Sequence, residues 1–119
     1  ASINPCDLDW VQHKYACHGA GETLGHDVAG RVVHVGVNAS PRLNVGDAVW
    51  ADGYDRRSWT VGEYRNSGSL AQYMVVQAAQ VGLMPSTLTF AEAATVPKVG
   101  ITSLTCLEVA GAPFKVDKQ

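Results

Sequence analysis

The sequence predicts one mainly β domain with flanking helices, an α+β fold, and three observations carry that prediction. The stretch Leu24-Gly25-His26-Asp27-Val28-Ala29-Gly30 leads into apolar residues at Val33, Val35 and Val37, whose period of two marks a half-buried strand. Gly46-Asp47 is a turn signal, after which Ala48-Val49-Trp50-Ala51 resumes as a second strand. Thr89-Phe90-Ala91-Glu92 has the spacing of a capping box, which opens a helix late in the chain.

Taken in order, the chain starts at Ala1 without a methionine, and its first element is expected to be incomplete at the amino end. Asn4-Pro5 favours an extended residue followed by the first turn of a helix, and Asp7 and Asp9 suit the positive end of that helix, which runs through Leu8, Trp10 and Val11. Residues 13–23 read as a loop. After the two strands, residues 52–69 form a long solvent-facing excursion carrying Gly53, Gly62, Gly68, Tyr54 and Tyr64. Leu70 to Val76 is apolar on both parities apart from Gln72, the pattern of a strand covered on both sides, and Gln80 to Leu83 adds a short strand. The Thr89 helix is expected to end near Pro97. A second helix follows from about Gly100 to Ala110, with Ile101, Leu104 and Leu107 on one side and Gly111 and Pro113 as stop signals. Trp50 and Tyr73 read as core aromatics, and Gly36, Gly46 and Asp47 as turn residues.

Size and charge narrow the function. With 119 residues, 46% of them hydrophobic, one core is affordable and two are not. The net charge of −2, with nine Lys and Arg and no basic run, leaves no footprint for nucleic acid or an anionic membrane and directs attention to a small-molecule substrate. No apolar run is long enough to span a bilayer. Three cysteines, an odd number without the density of a disulfide scaffold, favour a reducing compartment, the cytosol first and an organelle matrix next.

Together, Asn4-Pro5-Cys6-Asp7, Leu24-Gly25-His26-Asp27-Val28-Ala29-Gly30, Val45-Gly46-Asp47, Gly68-Ser69-Leu70-Ala71-Gln72-Tyr73 and Phe90-Ala91-Glu92-Ala93-Ala94 resemble the medium-chain dehydrogenase/reductase superfamily, with Thr102, Leu107 and Gly111 in keeping. The resemblance is to its GroES-like catalytic domain, a distorted β-barrel with flanking helices, and within the superfamily to the zinc-independent quinone oxidoreductase and enoyl reductase branch. It implies an NADPH- or NADH-dependent oxidoreductase acting on quinones or activated double bonds. It also implies a following Rossmann domain. No Gly-x-Gly-x-x-Gly opens a helix in these residues, so the chain is expected to lack that domain, to bind no cofactor by itself and to be inactive alone. The apolar side of the last helix, with Phe114 and Val116, would then face a missing partner domain, and the chain is expected either to self-associate through this end into a homo-oligomer or to leave its last few residues mobile.

The resemblance also frames the candidate site. It puts Asn4, His26 and Lys98 at the three ligand positions of the catalytic zinc found in many alcohol dehydrogenases, with Asp27 beside His26. Only His26 is a competent ligand, so no metal is expected there. It places Asn4 beside nicotinamide and substrate, where its amide can donate to a carbonyl oxygen; the structural alternative is a helix cap. His26 reads as a cleft histidine bonding a substrate carbonyl, or as a strand-end histidine with no chemistry. Cys6 falls where relatives keep a hydroxyl for a proton relay, near a helix amino end that lowers a thiol pKa; packing is its alternative. Lys98 and Thr102 are the cofactor-binding candidates, against a solvated loop lysine and a helix cap. Two other classes remain open: a stand-alone GroES-like binding module working through residues 52–69, and a metal-binding module built from Cys6, His13, Cys17, His18 and His26, although their spacing matches no established zinc motif.

Overall fold

The computed structural model describes residues 1–12, 23–37, 39, 41–53 and 68–111. Most of the loop expected at 13–23, with His13, Cys17 and His18, most of the excursion expected at 52–69, and Phe114 and Val116 lie outside these residues; of the excursion's ends, Asp52 closes the second strand and both Asp52 and Ser69 are buried instead of facing solvent. The first helix, α1, spans Pro5–Val11, with proline at its first position and Asn4 as the extended residue before it. Three short strands, β1 (Asp27–Arg31), β2 (Ala48–Asp52) and β3 (Val81–Leu83), form one antiparallel sheet in the order β1-β2-β3. A four-residue helix, α2 (Phe90–Ala93), packs on β1, and the long α3 (Pro97–Val109) lies against β2 and β1. This is a small antiparallel sheet with flanking helices, as expected.

The first hairpin follows from its turn. Asp47 accepts the Asn44 N–H through its carboxylate at 2.8 Å, and Gly46 adopts φ +96°, a conformation that side-chain-bearing residues adopt rarely. This sets Arg31 opposite Ala48 and, counting outward, Asp27 opposite Asp52. The strand expected around Val33 to Val37 is displaced upstream. Ahead of Ala48 the partner chain is occupied by the Asn44–Asp47 turn, so backbone beyond Val32 has nothing to pair with, and Val33 and Val37 are exposed.

Other expectations are corrected similarly. Leu70 to Val76 forms no strand. Leu70, Tyr73 and Val75 face solvent while Met74 and Val76 turn inward, so this run is covered on one side only and Tyr73 is no core aromatic. Its start is tied by Ser69 N–H to the Gly25 carbonyl and Leu70 N–H to the Leu24 carbonyl. Gly68 is required there, because a Cβ would fall 1.9 Å from the Thr23 carbonyl oxygen. Trp50 is half-buried, its indole over Gly82. Pro97 starts the last helix instead of ending the previous one, since proline at the first helical position surrenders an N–H that has no partner in any case.

The core is small. Leu43, Ala51 and Val81 are its buried centre, flanked by Val28, Val49, Val76 and Ala78, while Ala93, Ala94 and Pro97 bury the α2–α3 junction. The capping box is present as expected: Glu92 accepts the Thr89 N–H at 2.8 Å, and the Thr89 hydroxyl accepts the Glu92 N–H at 3.3 Å. Along α3, Val99, Ile101, Leu104, Leu107 and Val109 are exposed. Among the described residues no helix is long and apolar enough to cross a membrane.

Candidate active site

Where α1 begins, β1 begins and α3 begins, the chain buries polar side chains in place of apolar ones. Asn4, Asp7, His26, Asp27 and Asp52 are all less than 9% exposed, and Asp27 is fully buried. A carboxylate without water must be hydrogen-bonded or paired. Asp27 meets that demand with three donors: Ser2 Oγ at 2.8 Å and Asn4 Nδ2 at 2.9 Å on one oxygen, and the Lys98 N–H at 2.7 Å on the other. The last of these sits in the first turn of α3, where N–H groups lack helical partners and negative charge is favoured.

Asp7 is the second hub. One oxygen accepts the Asn4 N–H at 2.7 Å, the reciprocal half of a cap three residues apart, and the other lies 2.7 Å from His26 Nδ1. A carboxylate oxygen accepts, so in this hydrogen bond Nδ1 is the donor, and a neutral ring would then have Nε2 as its acceptor nitrogen. His26 can therefore donate to a substrate carbonyl only as imidazolium. It is also no exposed strand-end residue, being 3% exposed.

Cys6 Sγ approaches the same Nδ1 at 3.8 Å. A cysteine–histidine–carboxylate relay needs the thiol and the carboxylate on opposite ring nitrogens. Here both converge on one, which excludes that relay. The expected lowering of the thiol pKa is reversed: burial and then the neighbouring Asp7 charge push it up, outweighing the backbone hydrogen bond and the Lys98 ammonium that pull it down.

Lys98 is not a loop lysine. It stands in the first turn of α3, and its Nζ lies 3.4 Å from Asp52 Oδ2. Since Asp27 and Asp52 are register partners, Lys98 spans both strands, one through its N–H and the other through its ammonium. Thr102 is not a helix start either. It lies one turn further on, exposed, with its hydroxyl donating to the Lys98 carbonyl at 2.8 Å. Thus Asn4, Cys6, His26 and Lys98 belong to one polar cluster, and Thr102 stands beside it on α3.

The family-type zinc set does not fit these residues. Asn4 directs its Nδ2 to Asp27, and the third position holds the Lys98 ammonium, which is paired with Asp52. The carboxylates that organise the cluster were not singled out from the sequence. Asp7 could have been found from its three-residue spacing to Asn4, and Asp52 from counting outward along the hairpin from Gly46-Asp47.

Residues 1–86 match the model of the alcohol dehydrogenase GroES-like domain. The chain is 40% identical over 113 residues to a 2-methylene-furan-3-one reductase of Solanum lycopersicum, covering 93% of this chain and 28% of that protein. It is 39% identical over 98 residues to a trans-enoyl reductase of Penicillium oxalicum, covering 81% and 25%. Among solved structures it resembles the quinone oxidoreductase from Coxiella burnetii, with a TM-score of 0.71 and 26% identity over 93% of this chain and 34% of that one. The chain thus spans about a quarter of the length of the curated relatives it matches. With the family match running through both α1 and the polar hairpin, this chain belongs to the alcohol dehydrogenase GroES-like domain family.

Proposed function

We propose that this chain is the catalytic domain of an NAD(P)H-dependent oxidoreductase, NADPH ahead of NADH, that reduces quinones or activated double bonds without zinc. The observation that carries the reading is the buried Asn4 amide, oriented by Asp27 at the start of α1, in a domain similar to proteins named as reductases of such compounds. A nicotinamide supplies the hydride when bound. The chain's share is to orient the acceptor and stabilise the negative charge that develops on its oxygen. One N–H of the Asn4 amide is used by Asp27, and the second donates to that oxygen. His26 directs its Nδ1 to Asp7, so this task falls to Asn4. Lys98, with its ammonium, and Thr102, whose exposed hydroxyl keeps its lone pairs as acceptors, would hold the cofactor. The substrate is a small molecule, the working compartment is the cytosol, and the exposed row on α3 is the surface for a further domain or a second copy.

The test is NADPH oxidation, with a quinone and with an α,β-unsaturated ketone, by the full-length protein in which this domain is joined to a cofactor domain. Asn4→Ala is expected to lower kcat by about 10²-fold, the cost of one donor to a developing oxyanion, with a smaller effect on KM. An unchanged kcat removes Asn4 from this role. No NADPH consumption with either substrate class favours a binding module over an enzyme.

A further inference from the structure

His26, the competent ligand of the family-type zinc set, has two further donor side chains beside its Nδ1, Cys6 and Asp7. Cys6 Sγ, Asp7 Oδ1 and a His26 ring nitrogen lie within 4.8 Å of one another, with Asp7 and His26 buried and Cys6 half-buried. We propose that Cys6, Asp7 and His26 Nδ1 form a binding site for a borderline-soft divalent cation of the Zn²⁺ class. This proposal does not rest on the reductase reading.

Geometry supports it first. Tetrahedral coordination with Zn–S of about 2.3 Å and Zn–N or Zn–O of about 2.05 Å separates sulfur from nitrogen by about 3.6 Å and nitrogen from oxygen by about 3.3 Å. The Cys6–His26 separation is 3.8 Å, already close to that value, and the Asp7–His26 separation is 2.7 Å. Entry of the ion replaces the shared Nδ1 proton and widens the second pair by about 0.6 Å. The third pair, Cys6 Sγ and the Asp7 carboxylate, lies within 4.8 Å, and closes toward about the same 3.6 Å as the ion is gripped. The other Asp7 oxygen is held by the Asn4 N–H, an outer-sphere contact of the kind that fixes a ligating carboxylate.

Charge supports it next. The cluster buries three carboxylates, Asp7, Asp27 and Asp52, against the single ammonium of Lys98 and the His26 ring. Asp27 is satisfied by three donors and Asp52 is paired with Lys98, whereas Asp7 faces a thiol and an imidazole, both of which become ligands on losing a proton. The donors match the ion: thiolate and imidazole select zinc-like metals over magnesium or calcium, which take oxygen ligands. Two of the three come from one turn of α1, adjacent in sequence, and the third from the residue preceding β1, so the site forms only when helix and sheet are docked.

Co²⁺ is the probe, because a cobalt–thiolate bond gives a near-ultraviolet charge-transfer band that oxygen and nitrogen ligands do not. In a Cys17→Ser/Cys106→Ser background, Cys6 is the one thiol left. Titration of that protein with Co²⁺ is expected to give the band saturating at one ion per chain. Cys6→Ser in the otherwise unaltered chain is expected to abolish the band while the far-ultraviolet circular dichroism is kept. Asp7→Asn is expected to weaken binding by at least about tenfold. The proposal is overturned if the Cys17/Cys106 double variant gives no band up to millimolar Co²⁺. It is equally overturned if the band survives Cys6→Ser, which would place the ion on another thiol. Because NADPH oxidation is not read, failure here leaves the reductase reading standing, and the reverse holds.

Discussion

Replacing Asp27 by alanine tests whether the polar cluster holds the domain together. The carboxylate is fully buried and receives Ser2, Asn4 and Lys98. Near the surface, the Ser2 hydroxyl regains water when the acceptor is removed. The Asn4 Nδ2–H and the Lys98 N–H are left without their acceptor, at about 1–3 kcal/mol each. Against this, the variant no longer desolvates a charge, so the net loss is set at about 2–4 kcal/mol. With a urea m-value of about 1.5 kcal/mol/M, the midpoint falls by roughly 1.3–2.7 M at unchanged m. Asp27→Asn, which keeps one acceptor oxygen, is expected to lose about half as much. Hydrogen exchange localises the effect: the Lys98 amide loses protection in Asp27→Ala while β2 amides change only with global stability. An unfolding free energy for Asp27→Ala within about 0.5 kcal/mol of the parent would refute the claim that this carboxylate fastens α1 and α3 to the sheet.

Two further outcomes follow from the fold. Thr89→Ala removes the cap of α2 and is expected to cost about 1 kcal/mol by denaturant titration; its companion effect is in pH. Hydrogen bonds from the Thr89 N–H and hydroxyl hold the Glu92 carboxyl below its ordinary 4.5, so the folded state favours the charged form. That contribution is complete above about pH 4.5 and lost as pH falls through the lower folded value, and the acid limb of the stability curve should flatten in Glu92→Gln. Gly82→Val places a Cβ 2.5 Å from the Trp50 indole nitrogen, which must shift the ring; about 1–3 kcal/mol is expected, with a changed tryptophan emission as the local readout.

Much of this fold is legible in the sequence wherever a local chemical device decides the outcome. Asn-Pro starts α1, Gly46-Asp47 turns the hairpin, and Thr89 to Glu92 cap α2, because each depends on residues within one turn of each other. What sequence patterns misplace depends on partners far away. The valines at 33, 35 and 37 alternate as a strand does, yet the hairpin turn has already consumed the backbone they would pair with. Leu70 to Val76 is as apolar as a buried strand, but apolar composition does not supply a second covering layer. In the site, Asn4, Cys6, His26 and Lys98 were legible as members, while their orientations were not. Which Asn4 atom faces Asp27, and which His26 nitrogen faces Asp7, is fixed by carboxylates 23 and 19 residues away in the chain.

Lys98 touches one strand through its main chain and the other through its side chain, and this division sets how the domain responds to its surroundings. The sheet centre around Leu43, Ala51 and Val81 is held by apolar burial, whose loss carries a positive heat-capacity change. The α3 entry is held to Asp27 and Asp52 by polar contacts, whose exposure contributes heat capacity of the opposite sign. Cooling therefore weakens the sheet centre more than the helix entry. The domain carries two fasteners with different solvents in mind, and a change of conditions that loosens one leaves the other closed.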